Sequence, residues 1–329
     1  MPSARRTRSL QPTADIDPRT RPLAGAAPAE TAAPARRGWR LRREWVQAWL
    51  LLAPALILLF AFTHLPAIQT VIDSFWSTPR GRRPAAFVGL ANYARLLEDP
   101  IFIRAMVNNA IYAAITIPAS IALALVMALF VHGRLFGLGF VRMAYFTPTV
   151  LPLIAVANIW LFFYLPGIGL FDQIRGIFGL PARNWVGQPA TALYAVMMVT
   201  IWSQAGFFMI FYLAALQTIP QSLREAAALE GASRWTFFRR VTWPLIMPTT
   251  LFISVNATIN AFRTVDHIFV MTQGGPNNAS MLLLYYIYEQ GFRFWDTAYA
   301  ATLTVVMVTI LAVVGIGQFF LLDRRTHYR

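Results

Sequence analysis

The stretch EAAALEGASRWTFFRRVTWPLIMP, residues 225–248, lies between two long apolar runs of the chain. Its alanines favour a helix, and Ser222 with Glu225 forms an S-x-x-E pattern that predicts a capping box at the start of that helix. Gly231 allows the backbone to break, and Ser233 is placed to cap a second helix, RWTFFRR, before the prolines that follow. The stretch therefore predicts two short helices joined by a turn between two hydrophobic segments.

Six apolar segments surround this loop and predict six membrane-spanning helices. The chain is 57% hydrophobic and 13% charged, whereas about a quarter of the residues in a soluble domain are charged. Each segment is near or above the roughly 20 residues that a spanning helix needs, and a backbone in lipid must satisfy its own hydrogen bonds. Pro118, Pro148 and Pro152 predict kinks inside these helices. The predicted spans lie near residues 48–72, 108–131, 140–165, 190–216, 245–271 and 298–322.

The sequence thus predicts an all-α membrane protein with the 225–248 loop between its fourth and fifth spans. Arginine positions indicate the orientation: with the N-terminus inside, the cytoplasmic segments hold nineteen arginines and the outer loops hold eight. Such an excess is typical of the cytoplasmic side, so we expect both termini and the loop to be cytoplasmic. The net charge of +14 comes from arginines in the tail and in short loops between apolar runs. Because they do not form one basic binding face, we expect no binding of nucleic acid.

The N-terminal segment 1–44 differs in composition from everything that follows it. It is rich in Arg, Pro and Ala and has almost no large apolar residues. Such a segment cannot bury a core, which predicts a disordered cytoplasmic tail. The apolar run after it has no obvious cleavage site, so an uncleaved tail is favoured over a targeting peptide. Residues 45–329 would then form the transmembrane domain.

The composition also excludes several kinds of active site. The chain has no cysteine and no lysine, so all 28 of its basic residues are arginine. It therefore has no phosphate-loop lysine, Schiff-base lysine or thiolate, and any ATP must be bound by another polypeptide. The histidines at 64, 132, 267 and 327 lack metal-ligand spacing, so we expect neither a metal nor a cofactor on this chain.

Polar residues in the predicted fifth span are candidates for a substrate pathway. Asn256, Asn260 and Arg263 lie at i, i+4 and i+7 and share one helix face, and Asp266 follows three residues later. Asparagine donates and accepts hydrogen bonds, which suits sugar hydroxyls. The alternative is structural: asparagines bond between packed helices, and Arg263 could pair with Asp266.

Aromatic residues supply a second set of candidates. Trp160 and Tyr164 lie in the predicted third span, and Trp202 lies in the fourth, with Gln204 nearby. Aromatic faces suit the apolar side of a sugar ring. Aromatic residues near span ends are also common interface anchors, so both interpretations remain open.

The loop resembles the signature loop of ABC-importer permease subunits. The matching residues are Glu225, Ala226, Ala227 and Gly231, and Glu230 stands where the family usually has Asp. The resemblance implies that the loop forms coupling helices that seat on an ATPase subunit. The implied docking residues are Glu225, Ala226, Ala227, Glu230, Gly231 and Arg234. From the residues alone, an amphipathic helix lying on lipid headgroups is an equal alternative.

Two further stretches are similar to the maltose-type carbohydrate permeases. FVGLANYARLLEDPIF, followed by Asn108 and Asn109, is similar to the first outer loop of that group. FRTVDHIFVMTQGGP, followed by YYIYEQGF, is similar to its fifth span and outer loop. The resemblance covers residues 45–329, in the same order and spacing.

The resemblance implies a bacterial inner-membrane permease subunit that forms half of a pathway for a sugar, oligosaccharide or polyol. Its partners would be a second permease, a dimer of ATPase subunits that holds ATP and Mg²⁺, and an extracytoplasmic binding protein, so the chain itself is no enzyme. Permeases of the glycerol-3-phosphate type share the TQGGP stretch, and Arg263 could face such an anion. A lone ion-driven carrier is a more distant alternative, with Asp266 as its plausible carboxylate.

Overall fold

The structure is a computed structural model that describes residues 37–133 and 137–323. Most of the predicted tail, residues 1–36, lies outside the described residues, as do Arg134 and the three C-terminal arginines. The chain divides into two compact units, Met1–Phe60 and Ala61–Arg329. In the first unit, helix α1 begins at Arg37, inside the segment predicted to be disordered.

The described residues form helices joined by turns and irregular loops, with two isolated β-bridges, Trp76 with Phe87 and Arg80 with Arg83, in the loop after α2. Three π turns interrupt the helices at Phe60–His64, Phe238–Thr242 and Glu289–Arg293. The α-helices are α1 (Arg37–Leu59), α2 (Leu65–Asp73), α3 (Ala91–Glu98), α4 (Pro100–Val131), α5 (Leu138–Val150), α6 (Leu153–Phe163), α7 (Leu170–Ile177), α8 (Pro189–Gln217), α9 (Gln221–Leu229), α10 (Arg234–Phe237), α11 (Trp243–Arg263), α12 (Asp266–Met271), α13 (Leu283–Tyr288) and α14 (Thr297–Asp323).

Five helical segments in the described residues are long and apolar enough to cross a membrane, and a bent pair brings the number to six if it counts as one span. This confirms the prediction of an all-α membrane protein. The five segments are Trp45–Asp73, Pro100–Val131, Pro189–Gln217, Arg234–Met271 and Thr297–Phe320.

The bent pair replaces the single helix predicted over residues 140–165. Helices α5 and α6 meet at an angle of 104°. Leu151 and Pro152 between them have extended backbone, with ψ of 138° and 130°. Proline lacks an N–H and disfavours helical geometry in the residue before it. The segment is therefore broken where the sequence predicted only a kink.

The fifth span also differs from its prediction. The loop helix RWTFFRR is not separate, because α10, the π turn at Phe238–Thr242 and α11 follow one another without a gap. The widened π turn comes just before Pro244, whose missing N–H would interrupt a regular helical ladder. At the other end, α11 stops at Arg263, and Thr264 and Val265 separate it from α12.

Helices α4 and α8 form the centre of the bundle, with α5 and α11 packed against them and α14 packed against α11. Small buried residues allow the close approach: Ala124 and Ala128 on α4 have no exposed surface. On α8, the position of a Cβ at Gly206 would collide with the carbonyl oxygen of Tyr145 on α5. Gly206 therefore sets the distance between α5 and α8.

Candidate functional site

A polar cavity of about 390 Å³ lies at the break between α5 and α6, against α8 and α11. Three of the predicted pathway residues, Gln204, Asn256 and Asn260, line this cavity. The other lining residues are Thr149, Leu151, Leu153, Ser203 and Phe207. None of the eight carries a charge, so the cavity offers amides and hydroxyls to a ligand.

A second cavity of about 280 Å³ lies on the other side of Leu151, which lines both. Its walls are apolar and include the predicted residues Trp160 and Trp202, whose rings meet edge to face at 5.6 Å. Phe163 adds a third ring. The helix break thus places a polar surface and an aromatic surface next to each other.

One polar atom at the polar cavity has no partner. The hydroxyl oxygen of Thr149 is buried and makes no hydrogen bond within the described part of the chain. Buried hydroxyls almost always find a partner, because leaving one unpaired costs about 1–3 kcal/mol. By contrast, Nδ2 of Asn256 donates to the carbonyl of Phe252 at 2.9 Å. Thr149 therefore places an unused hydrogen-bonding group beside the cavity.

Two predicted pathway residues line neither cavity. Tyr164 is buried, its hydroxyl donates to the Ala195 carbonyl at 3.0 Å, and its ring stacks on Phe171 at 5.1 Å. Arg263 is exposed at the end of α11. The break after α11 places Asp266 in the next helix, and among the described ion pairs there is none between Arg263 and Asp266.

The first loop helix, α9, does not begin as predicted. Its N-cap residue is Pro220, which has no capping side chain, so the predicted capping box of Ser222 and Glu225 is wrong. Glu225 instead accepts a hydrogen bond from Gln221 at 2.8 Å within the helix. Of the N–H groups in the first turn, that of Leu223 donates to the Pro220 carbonyl at 3.2 Å.

The turn after α9 follows the prediction. Gly231 has φ of +73°, a conformation that glycine adopts without steric cost. Ser233 caps α10 by accepting the N–H of Thr236 at 3.1 Å, which confirms its predicted role. The loop also exposes apolar side chains, with Leu229 90% and Trp235 68% exposed. Such a surface is suited to a partner or a membrane.

A network that sequence reasoning missed joins the segment around α3 to the helices that follow it. Asp99 caps α4 through the N–H groups of residues 101 and 102 and accepts the hydroxyls of Tyr286 and Tyr299 at 2.5 and 2.6 Å. Burial alone would raise the pKa of Asp99, but these hydrogen bonds hold it below its usual range. Beside it, Arg95 donates to Asp296 at 2.8 Å and covers the Tyr299 ring.

Asn108 and Asn109 on α4 bind the backbone of the segment that follows the TQGGP stretch. Asn108 donates to the carbonyls of Asn278 and Met281 at 2.9 and 3.0 Å, and Asn109 accepts the N–H of Leu283 at 3.1 Å. Both asparagines are buried. The segment after TQGGP is therefore bound to α4 by side-chain amides.

The described chain thus combines bent membrane-type helices, a cavity lined by amides and hydroxyls, and an exposed helical loop. Residues 100–328 match the family described as the binding-protein-dependent transport system inner membrane component. The chain belongs to this family and is a multi-pass protein of the bacterial inner membrane. It is a transport subunit and not an enzyme, since the family is a component of a transport system.

Similar proteins include two permeases whose names state what they transport. The chain is 34% identical to the lactose transport system permease protein LacF of Rhizobium radiobacter, over 84% of this chain and 93% of that protein. It is 32% identical to the sn-glycerol-3-phosphate transport system permease protein UgpA of Agrobacterium fabrum, over 85% and 96%.

A solved structure shares the fold. A subunit of a bacterial ABC transporter that imports the acidic polysaccharide alginate superposes with a TM-score of 0.78 at 23% identity, covering 89% of this chain and 100% of that one. A second structure of the alginate transporter, in complex with its pentasaccharide-bound periplasmic protein, gives the same TM-score at 22% identity.

Proposed function

We propose that this chain forms half of the translocation pathway of an ATP-driven importer for a neutral sugar, oligosaccharide or polyol. The observation that carries the proposal is the pair of cavities at the α5–α6 break. One wall offers the amides of Gln204, Asn256 and Asn260, and the other offers the rings of Trp160 and Trp202. A sugar has hydroxyls at its edge and an apolar ring face, which match these two surfaces.

The absence of charge from both cavity linings supports a neutral cargo. An anion there would lose its hydration without gaining a counter-charge, which is costly. The glycerol-3-phosphate alternative has the support of the relative UgpA, but it would need Arg263, which lines neither cavity. Family membership sets the lone-carrier alternative aside.

The loop is the proposed docking site for an ATPase subunit. Helix α9 is exposed along nearly its whole length, and the turn at Gly231 presents Leu229 beside it. A partner that covers this surface would remove it from water, which favours association. The residues proposed to dock are Glu225, Ala226, Ala227, Glu230, Gly231 and Arg234. The loop and both termini are placed in the cytoplasm, as the arginine distribution favours.

The remaining partners are proposed from the resemblance and the family. We propose a second permease of the same kind, a dimer of ATPase subunits that bind ATP and Mg²⁺, and an extracytoplasmic binding protein that delivers the sugar. The family description supports the binding protein. The complex of the alginate transporter with its periplasmic protein supports the same arrangement in a chain of this fold.

The test uses the assembled importer in liposomes with its binding protein. Uptake of radiolabelled lactose, maltose, trehalose and glycerol-3-phosphate is measured with and without internal ATP. The proposal expects ATP-dependent uptake of a neutral sugar that falls when Asn260 is replaced by Leu. Uptake of glycerol-3-phosphate alone, abolished in Arg263→Gln, would contradict the neutral cargo.

A further inference from the structure

Helix α9 has a single side-chain hydrogen bond to another helical segment within the described residues. Nη2 of Arg224 donates to Nε2 of His132 at 3.3 Å. The other side-chain bond of α9, from Gln221 to Glu225, stays inside the helix. Among the residues that the structure describes, His132 is therefore the one side-chain partner of α9 outside the helix.

His132 is held in the form that can accept this bond. It directly follows the end of α4, and its Nδ1 is buried without a partner in the described part of the chain. Burial lowers the pKa of His132, and the positive charges of Arg224 and Arg142 lower it further. A neutral imidazole keeps a lone pair on one ring nitrogen, which lets Nε2 accept from Arg224.

A second arginine, Arg142, joins the end of α4 to α5 by hydrogen bonds. The guanidinium of Arg142, on α5, donates from Nε and Nη2 to the carbonyl of Val131 at 3.2 and 2.6 Å. This carbonyl is at the C-terminal end of α4, where the helix dipole favours a cation. Val131, Leu138 and Leu216 are buried in one core cluster, so the ends of α4, α5 and α8 are packed together.

The far end of α5 reaches the polar cavity. The helix has 13 residues, which corresponds to about 20 Å. Thr149 near its end and Leu151 just after it both line the cavity. Midway, the close approach of Tyr145 to Gly206 holds α5 against α8. One short helix thus connects the surroundings of His132 with the cavity wall.

We propose that movement of α9 is transmitted to the polar cavity by α5. The transmission runs through the hydrogen bond from Arg224 to His132 and the hydrogen bonds from Arg142 to the Val131 carbonyl. The inference rests on the proposed docking of an ATPase subunit on α9. Arg224, His132 and Arg142 are then positioning residues, since they touch neither nucleotide nor sugar. Coupling of this kind requires an element that both sites bias. Helix α5 is bonded through Arg142 to the end of α4, next to His132, and it lines the cavity at Thr149.

The test is a double-mutant cycle in the liposome-reconstituted importer with its binding protein. His132→Leu removes the acceptor, Arg224→Met removes the donor, and His132→Gln keeps an acceptor as the matched control. We expect each of the first two variants to lower sugar taken up per ATP hydrolysed by about fivefold. The double variant should be no worse than either single one, and His132→Gln should remain close to wild type.

Two results would overturn the inference. One is a double variant whose loss of sugar uptake per ATP hydrolysed equals the sum of the losses in the two single variants. The other is an unchanged uptake per ATP in His132→Leu. Loss of ATPase docking has a different signature, because it would lower ATP hydrolysis in Arg224→Met but not in His132→Leu.

A measurement on the purified chain alone separates the inference from the proposed function. Hydrogen exchange of the α9 amides is compared between wild type, His132→Leu and His132→Gln in nanodiscs. We expect faster exchange in His132→Leu alone, since α9 loses its side-chain link. Equal exchange in all three proteins would contradict a structural role of the Arg224–His132 hydrogen bond, whether or not an ATPase subunit binds.

Discussion

At the scale of single residues, Asp99 is the side chain whose chemistry is most fully accounted for. It is partly buried and receives two tyrosine hydroxyls and two backbone N–H groups. We expect Asp99→Asn to lower the unfolding free energy by about 1–2 kcal/mol, since hydrogen bonds to a charge are stronger than those to an amide. Thermal unfolding in detergent measures this, with the exposed Asp73→Asn as the control.

The same residue predicts a pH dependence. The pKa of Asp99 in the folded chain lies below the ordinary value of 3.8. Its stabilisation is therefore complete well above pH 3.8 and is lost as the pH falls through the folded-state value. The difference between wild type and Asp99→Asn should shrink at the acidic end of the titration. A difference that grows on acidification would contradict the role assigned to the ionised carboxylate.

The amides of the polar cavity give a second residue-scale prediction. Replacing Asn260 by Leu removes a donor and an acceptor from the wall that we assign to sugar hydroxyls. We expect uptake to fall by about tenfold, the equivalent of roughly 1.4 kcal/mol of lost binding. Asn256→Leu is a weaker test, since its Nδ2 already bonds to Phe252. Normal uptake by Asn260→Leu would remove this residue from the pathway.

At the scale of elements, the conformation of the turn between α9 and α10 depends on the glycine at position 231. Space around Gly231 is open, but its φ of +73° is unfavourable for a β-branched residue. We expect Gly231→Val to reposition α9 and abolish transport while membrane insertion is retained. Uptake and membrane content are measured together, with Gly176→Val, in α7, as the control. Normal uptake in Gly231→Val would refute the docking role of this turn.

The elements also show where prediction from sequence succeeds and where it fails. Apolar runs predict the spans because lipid requires long helices, and Gly231 and Ser233 mark their turn and cap locally. The break at Leu151 was not predictable, because a proline in an apolar run can either kink a helix or end it. Thr149 carried no signal either, since most membrane hydroxyls bond to their own helix.

At the scale of the whole molecule, the features that sequence reasoning missed are long-range contacts. Asp99 meets tyrosines 187 and 200 positions away, and Asn109 meets a backbone N–H 174 positions away. Local pattern cannot reveal such partners. Tyr164 and Arg263 were predicted to line the pathway because of their side-chain types. The fold instead packs Tyr164 in a buried cluster and places Arg263 outside both cavities.

The central claim is that this chain works only within an ATP-driven assembly. The most direct measurement is gentle affinity purification of the tagged chain from its native membrane, followed by mass spectrometry of its companions. The account predicts recovery of an ATPase subunit and a second permease, with the ATPase subunit lost in Gly231→Val. Recovery of the chain alone, still transporting sugar in liposomes without ATP, would contradict it.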